Sequence, residues 1–575
     1  MMIRFLGPVG RVTGSCYWLS DAALDLEFLV DCGMVQGEPD ERRWNHGPFA
    51  FDPRRLRFVL LTHAHVDHSG LIPRLYHEGF DGPVYCTPET RDLARLLLKD
   101  AARQKDAAFN ESDVARIRWK AIDHLNTCQP VHRDVFVRTY RAAHVLGAVS
   151  FQVLWGPKPV LGAPNEQRRM TFSGDLGGNV EGREFLPLLR HRMNPDPADF
   201  VVVESTYGDR VRPAGEEDFE ARLDRLRAAV DEAVIHRGGI LVLPCFGVDR
   251  TQEILLDLHL LFWRQLDRYG DVPVYLHAPL AARANEVYAR GLRRKARTRR
   301  GELRPLWLSK VIYAALGRDP ENLADETFIE AVLATVFAKA AEAAVGMATC
   351  GLPRLHHIID QPPTDVIGLQ PHPGILVTGG GMCEGGPIVA YLDTLLRRDT
   401  TTLLFSGYAG RSTVAGQLLD VADVSVQDRA RLGEEIRWTL REGSEHVMPT
   451  GAIRASIGRL TGYSAHADQA SLLGWLFHEF DGQPRAAGRT VFLTHGNETA
   501  RRALAAAVED KVASGIFGPV SVIAPASTDG EYDLDRGAWK ADLDEPFATA
   551  DDVGGLRARI VWLEDQLVRA RRRTG

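Results

Sequence analysis

Four side chains able to bind a metal or move a proton fall within six consecutive positions of LTHAHVDHSG (61–70): His63, His65, Asp67 and His68. Imidazole and carboxylate are donors that zinc takes, and a metal pair also wants a shared oxygen donor. His-x-His-x-Asp-His on one tight loop can therefore supply partial ligand sets for two neighbouring ions. Burying these groups unpaired would be costly, and no turn type needs this composition. One loop does not complete a small metal site, so further ligands must come from elsewhere. The candidates are polar residues that end strand-like runs: His144 in RAAHVLGAVS, Asp175 in TFSGDLG and His495 in VFLTHGNE. By spacing alone, each of these three could equally be a capping or surface residue.

The elements that must position them alternate. After a first strand in MMIRFLGPVG, strands are expected over 28–33, 57–63, 82–87, 135–144, 150–156, 169–175 and 199–206, with helical patterning over 88–126. Several strands end in Asp, His or Glu, where a sheet scaffold often places chemistry. From about 216 the texture changes. EEDFEARLDRLRAAVDEAVIHRGG reads as an amphipathic helix closed by Gly238 and Gly239. A strand–helix unit follows in GILVLPCFGVDRTQEILLDLHLLF, then VPVYLHAP (272–279) and a long polar, helical region over about 281–345. GILVTGGGMCEGG (374–386) and TTLLFSGYAG (402–411) read as strands leading into glycine-rich loops. This alternation is that of an α/β domain. The polar stretch 419–445 reads as surface, and strand-like and helical segments resume over 458–476 and 489–508.

The chain has 575 residues, more than one ordinary domain needs. Its net charge of −7 does not advertise nucleic-acid binding, although local basic patches could still provide it. No stretch approaches the roughly 20 apolar residues of a transmembrane helix, and the N-terminus lacks a signal peptide's apolar region, so no membrane partner is expected. Cys16, Cys32, Cys86, Cys128, Cys245, Cys350 and Cys383 are scattered, odd in number and never spaced C-x-x-C. That argues against a disulfide framework or a zinc ribbon, and for a reducing, cytoplasmic setting.

HAHVDHSG resembles the signature of the metallo-β-lactamase fold. LVDCG before it, and AAHVLGAVS and FSGDLG after it, match that superfamily's other motifs in order. VVVESTYGDR, LPCFGVDRTQE, VPVYLHAPLA, GILVTGGGMCEGG, GYSAHADQ and VFLTHGNE are similar to the β-CASP nucleases. That group includes ribonuclease J, the pre-mRNA 3′-end endonuclease subunit, and compact bacterial and archaeal RNases. The match runs from residue 1 to about 530 and departs from the compact members at about 285–350, at about 419–445 and in the tail. The resemblance implies an α/β protein: a four-layer αββα metallo-β-lactamase sandwich with an inserted β-CASP α/β domain. By this reading 1–205 and 419–540 form the sandwich. Residues 206–418 form the inserted domain, with an extra helical insertion at about 285–350, and 541–575 form a helical tail.

The same resemblance implies two Zn2+ per chain. One is held by His63, His65 and His144, the other by Asp67, His68 and His495, and Asp175 bridges them. The reaction implied is hydrolysis of RNA phosphodiester bonds, endo- or 5′→3′ exonucleolytic, by a two-metal, bridging-hydroxide mechanism. Asp67, Asp175, Glu204 and His466 are the implied catalytic residues. Glu204 matches the group's motif A and His466 its motif B. A carboxylate beside an imidazole orients it and favours its protonated form, which suits a general acid for the departing 3′ oxygen. Without the motifs, His466 would read as an incidental histidine near a helix cap and Glu204 as a strand-end charge. The loops GGGMCEGG and SGYAGRST could present backbone N–H groups to phosphates, with Ser406, Gly407 and Ser412 as substrate contacts. Cys383 is rejected as a nucleophile, because no histidine partner is suggested and a two-metal site needs no covalent step.

Three other functions compete. A DNA-directed nuclease of the same family is disfavoured by His495, the residue expected of RNA-processing members. A non-catalytic RNA-binding scaffold subunit would have lost ligands, and this chain keeps them all. A small-molecule hydrolase, such as a glyoxalase or lactamase, does not call for an inserted domain of some 200 residues. Two segments stand outside the family pattern. RGLRRKARTRRGELR (290–304) carries eight Arg or Lys and one Glu, either a track for the RNA backbone or a solvated face. In the tail, Leu556, Ile560, Leu563, Leu567 and Ala570 recur at spacings of four, three, four and three, an a/d seam. It is too short to stand alone, so it needs either the protein's own surface or a second copy, and a homodimer is the favoured expectation.

Overall fold

A computed structural model describes residues 1–156, 167–297, 301–316, 355–358 and 373–543, less positions 8, 105, 214, 408, 411, 441, 442 and 527, together with 330, 333 and 337. The tail seam at 556–570 and most of the 285–350 insertion beyond 316 lie outside the described residues.

Two sheets packed face to face carry the site. The first runs in the order Ala538–Trp539, Glu531–Asp533, Met2–Leu6, Cys16–Asp21, Leu26–Cys32, Phe58–Leu60, Pro83–Cys86, Arg118–Ala121. The second runs Ser521–Ile523, Gly488–Thr494, Ala198–Glu204, Arg168–Phe172, Val149–Trp155, Val135–Arg141, Gln129–His132. Their inner faces meet through aromatic pairs such as Phe5–Phe492 at 5.0 Å and Tyr17–Phe172 at 5.5 Å between ring centroids. Leu26–Cys32 and Val149–Trp155 are buried at every position, the polar Glu27, Asp31, Ser150 and Gln152 included. Parallel pairing of Phe58–Leu60, Pro83–Cys86 and Arg118–Ala121 requires crossovers, and the helices Ile72–His77 and Pro88–Ala101 lie in them. On the far side, Leu472, Trp475, Leu504 and Val508 of the helices Gln469–Leu476 and Glu498–Ala513 pack on Val201, Val203, Val491 and Leu493. The result is the αββα sandwich. The helical reading of 88–126 is too long: Arg118–Ala121 is a polar edge strand, without the apolar run that would have marked it.

The inserted sheet is parallel throughout, in the order Leu355–His357, Val274–His277, Gly374–Gly379, Ile240–Cys245, Thr401–Phe405, Ser456–Arg459. Its last strand lies well beyond 418, where the sequence reading ended this domain. The stretch 419–445, read as surface, in fact feeds a core. In the hairpin Glu435–Thr439/Glu445–Pro449, Ile436, Trp438 and Met448 are buried against Val414 and Leu418. The basic stretch leaves the helix Pro279–Leu292 and folds into a hairpin, Lys295–Arg297 with Leu303–Pro305. Acids of the chain already hold several of its charges: Arg293 meets Glu330 at 2.6 Å, Arg294 meets buried Glu89 at 2.7 Å and Arg304 meets Glu302 at 3.0 Å. That weakens the reading of this stretch as a phosphate track. Among the described residues no helix is long and apolar enough to cross a membrane.

Candidate metal centre and active site

The strand Phe58–Leu60 runs into the histidine loop, which turns at once into the short helix Val66–Ser69. The loop is pinned from behind. Ser15 N donates to Asp67 O at 2.9 Å and Met34 N donates to Val66 O at 2.9 Å. A Cβ at Gly33 would meet Asp67 O at 1.6 Å, so only glycine lets these backbones approach so closely. The distant ligands follow strands of the second sheet. His144 comes after Val135–Arg141, Asp175 after Arg168–Phe172 and His495 directly after Gly488–Thr494. His495 itself has φ +49, and Ala143 and Gly174, which precede the other two, have φ +59 and +56. These local kinks turn each side chain back across the strand ends.

Seven residues thereby meet. His63, His65, His144 and Asp175 offer one set of donor atoms, and Asp67, His68, Asp175 and His495 a second, each set within 4.8 Å. In the first, His65 Nδ1 lies 3.2 Å from both His63 Nε2 and His144 Nε2, and Asp175 Oδ2 lies 3.6 and 3.5 Å from those two nitrogens. In the second, His68 Nε2 lies 3.3 Å from His495 Nε2 and 3.1 Å from Asp175 Oδ1, and His495 Nε2 lies 3.4 Å from Asp67 Oδ2. With ligand bonds of about 2.0–2.1 Å, a tetrahedral zinc centre sets its donors about 3.3 Å apart. Both sets match that spacing. Asp175 is 2% exposed, and its oxygens lie among the ring nitrogens of His63, His144, His68 and His495, as a shared ligand's would. The donors fit divalent metal ions, and Asp175 belongs to both sets.

Electrostatics agrees with the geometry in the first set; in the second, burial works against a charged His68, but Asp175, Asp31 and Asp67 outweigh it and raise His68 well above its ordinary value. Burial pushes the imidazoles of His63, His65 and His144 down, His65 to about 4, so all three are neutral and have lone pairs to give. Burial opposes the charge on Asp175, but His495, His68 and His63 outweigh it and hold the carboxyl well below its ordinary range.

One contributor escaped the sequence reading. Asp31, at the end of Leu26–Cys32, is fully buried in the left-handed region at φ +56. Its Oδ2 meets His68 Nδ1 at 2.8 Å and accepts from Thr62 Oγ1 at 2.8 Å, while Oδ1 accepts from Thr62 N at 2.8 Å. Thr62 Oγ1 in turn lies 3.1 Å from His63 Nδ1. One carboxylate thus orients a histidine in each set, as partners of metal-binding histidines commonly do. The available signal was LVDCG, an apolar strand ending in an acid just before the glycine that packs on the histidine loop.

Glu204 and His466 also meet. His466 Nδ1 lies 3.1 Å from both oxygens of Glu204, and Nε2 lies 3.9 Å from Asp175 Oδ2. Glu204 is 1% exposed, and its Oε1 accepts from Leu176 N at 2.7 Å. Burial works against a charged His466, but Glu204, then Asp175 and Asp67, outweigh it and raise its pKa above the ordinary value. The proposed substrate contacts stand apart. Ser406 is buried with its hydroxyl 3.9 Å from Cys245 Sγ, Gly407 sits on the Phe246 ring, and exposed Ser412 donates to Gly37 O across the domains. No hydrogen bond joins any of them to the seven clustered residues.

Known proteins share this organisation. The Metallo-beta-lactamase superfamily model matches residues 9–157, the Beta-Casp domain model 251–418, and the model of a Zn-dependent metallo-hydrolase RNA specificity domain 450–522. Ribonuclease TTHA0252 of Thermus thermophilus is 32% identical over 501 residues, which cover 87% of this chain and 94% of that protein. Transcription termination factor FttA of Methanosarcina mazei is 28% identical over 521 residues, covering 89% and 69%. With these matches and both donor sets in place, the chain belongs to the β-CASP family of the metallo-β-lactamase superfamily and is a metal-dependent nuclease.

Proposed function

We propose that the protein is a zinc-dependent ribonuclease of RNA processing or decay, acting in the cytoplasm with two Zn2+ per chain. The observation that carries this reading is the pair of four-donor sets sharing Asp175, with the His466–Glu204 pair beside them. The match to an RNA specificity domain spans both His466 and His495 and favours RNA over DNA. Two such ions would polarise the phosphate and acidify a water. His63, His65 and His144 serve one ion, Asp67, His68 and His495 the other, and Asp175 both. Glu204 accepts a hydrogen bond from His466 Nδ1–H, which leaves Nε2 facing the metal ligands to hand its proton to the departing 3′ oxygen. Glu204 fixes the ring and stabilises its charge. Backbone groups around Ser406, Gly407 and Ser412 would meet the RNA away from the metal ligands. The a/d seam of the tail supports a homodimer.

The test is metal analysis of the purified protein with labelled RNA, DNA and a lactam assayed side by side. We expect two equivalents of zinc and cleavage of RNA alone, abolished by chelation and restored by Zn2+. Cleavage of DNA in preference to RNA, or of the lactam, would overturn the reading.

A further inference from the structure

We propose that Arg212 is a positioning residue for His466, a role that rests on the general-acid reading given above. His466 lies in the segment 464–468, which pairs by backbone with 176–178 along one edge and bridges to Tyr207 at its Asp468 end. Gly178 N donates to Ala465 O at 2.8 Å and Ala467 N donates to Leu176 O at 2.7 Å, the pattern of an antiparallel pair around Gly177 and His466. In an extended segment alternate carbonyls face opposite ways, so Ser464 O and His466 O point to the other edge. There Arg212 stands in for a missing strand. Its Nη2 donates to Ser464 O at 3.2 Å and to His466 O at 2.5 Å.

The guanidinium is itself fixed on all sides. Its side chain is 2% exposed. Nη1 donates to Glu217 Oε1 at 2.6 Å, and the group lies over the rings of Tyr207 at 5.7 Å and Phe185 at 5.5 Å. The Arg212 backbone N donates to Asp468 Oδ2 at 3.0 Å, and the same carboxylate caps the helix Gln469–Leu476 through Ser471 N. Arg212 thus ties the loop that follows Glu204 to the segment bearing His466. The placement of Nδ1 against Glu204, and of Nε2 against the metal ligands, follows from where this backbone sits. A lysine keeps the charge but has no planar fork to span two carbonyls and Glu217 together.

The test compares two substrates. RNA leaves as an alkoxide that needs a proton, whereas bis(4-nitrophenyl) phosphate leaves as a stabilised phenolate that does not. For Arg212→Lys we expect the ratio of RNA to aryl-diester turnover to fall about 10- to 100-fold, with metal content and KM for RNA close to wild type. Glu217→Gln, which keeps Arg212 but frees it from its carboxylate, should shift the ratio in the same direction by less. In the double variant Arg212→Lys/His466→Ala the ratio should match that of His466→Ala alone, because both changes remove one function. Equal losses on both substrates, an unchanged ratio, or multiplying losses in the double variant would overturn the assignment. A wild type that cuts DNA and spares RNA would refute the ribonuclease reading, and the same comparison made on DNA would then decide the role of Arg212.

Discussion

Asp31→Asn exchanges one carboxylate oxygen for an amide in a backbone conformation that asparagine tolerates. Three groups crowd the native carboxylate at 2.8 Å: Thr62 N on Oδ1, and Thr62 Oγ1 and His68 Nδ1 on Oδ2. In its better orientation the amide oxygen keeps the two Oδ2 contacts, and the NH2 group then faces Thr62 N–H, donor against donor. A buried donor left unpaired costs about 1–3 kcal/mol. If that cost falls on the geometry of His68, the second metal binds roughly 5- to 150-fold more weakly. Loss of such outer partners elsewhere weakens metals by about 10–100-fold, the same range. The assay is competition against a graded series of chelators, with metal content measured at each step. We expect one ion to leave the variant at a chelator strength that strips neither from wild type. Two ions held as tightly as in wild type, or first loss from the site of His65 and His144, would refute the reasoning.

Four further outcomes are expected. Asp67→Ala and Asp175→Ala should each abolish hydrolysis, Asp67→Ala losing one ion and Asp175→Ala weakening both; full activity in either would sink the two-metal assignment. His466→Ala should keep both metals and lose about 10²–10⁴ in rate, whereas His495→Ala should empty the second site; the opposite metal contents would exchange the two roles. Burial pushes buried Glu253 up to about 8, against the attraction of Arg222. The unfolded chain releases that proton near 4.5, so native stability falls as pH rises between the two values. Thermal melts of Glu253→Gln, which needs no proton, should therefore gain on wild type by about 1.4 kcal/mol per pH unit from pH 5 to 8, and an advantage that shrinks over that range would be contrary. Deleting 552–575 should convert a dimer to a monomer by light scattering; a dimer that survives deletion clears the tail of that role.

The metal cluster was legible because its parts are chemically conspicuous: four donors on one loop, and three more where apolar runs stop. What brings the parts together was not. Asp31 looks in sequence like any acid closing a strand, and only the left-handed backbone at that position and full burial turn it towards His68. Arg212 reads as one of many surface arginines until its guanidinium is seen to take the carbonyls of both Ser464 and His466. The extent of the inserted sheet was hidden for a different reason. SIGR at 456–459 is short and only half-buried, with a single strongly apolar residue, and it joins the sheet at its edge. Likewise EIRWT at 435–439 alternates strictly, but a polar surface strand with two large apolar residues resembles a solvated stretch until its hairpin partner is placed.

The donors of the second metal set arrive far apart in time as well as in sequence. His68 and His495, whose ring nitrogens lie 3.3 Å apart, are separated by 427 residues. At about 5–20 residues per second, a ribosome takes roughly 20–90 s to pass from one to the other. Between Asp175 and His466 the nascent chain carries the histidine loop, His144 and Asp175, but neither the His466 segment nor His495. A chain released early from a broken message would therefore hold at most one complete donor set. The order of the ligands leaves the second donor set incomplete until most of the chain has been made.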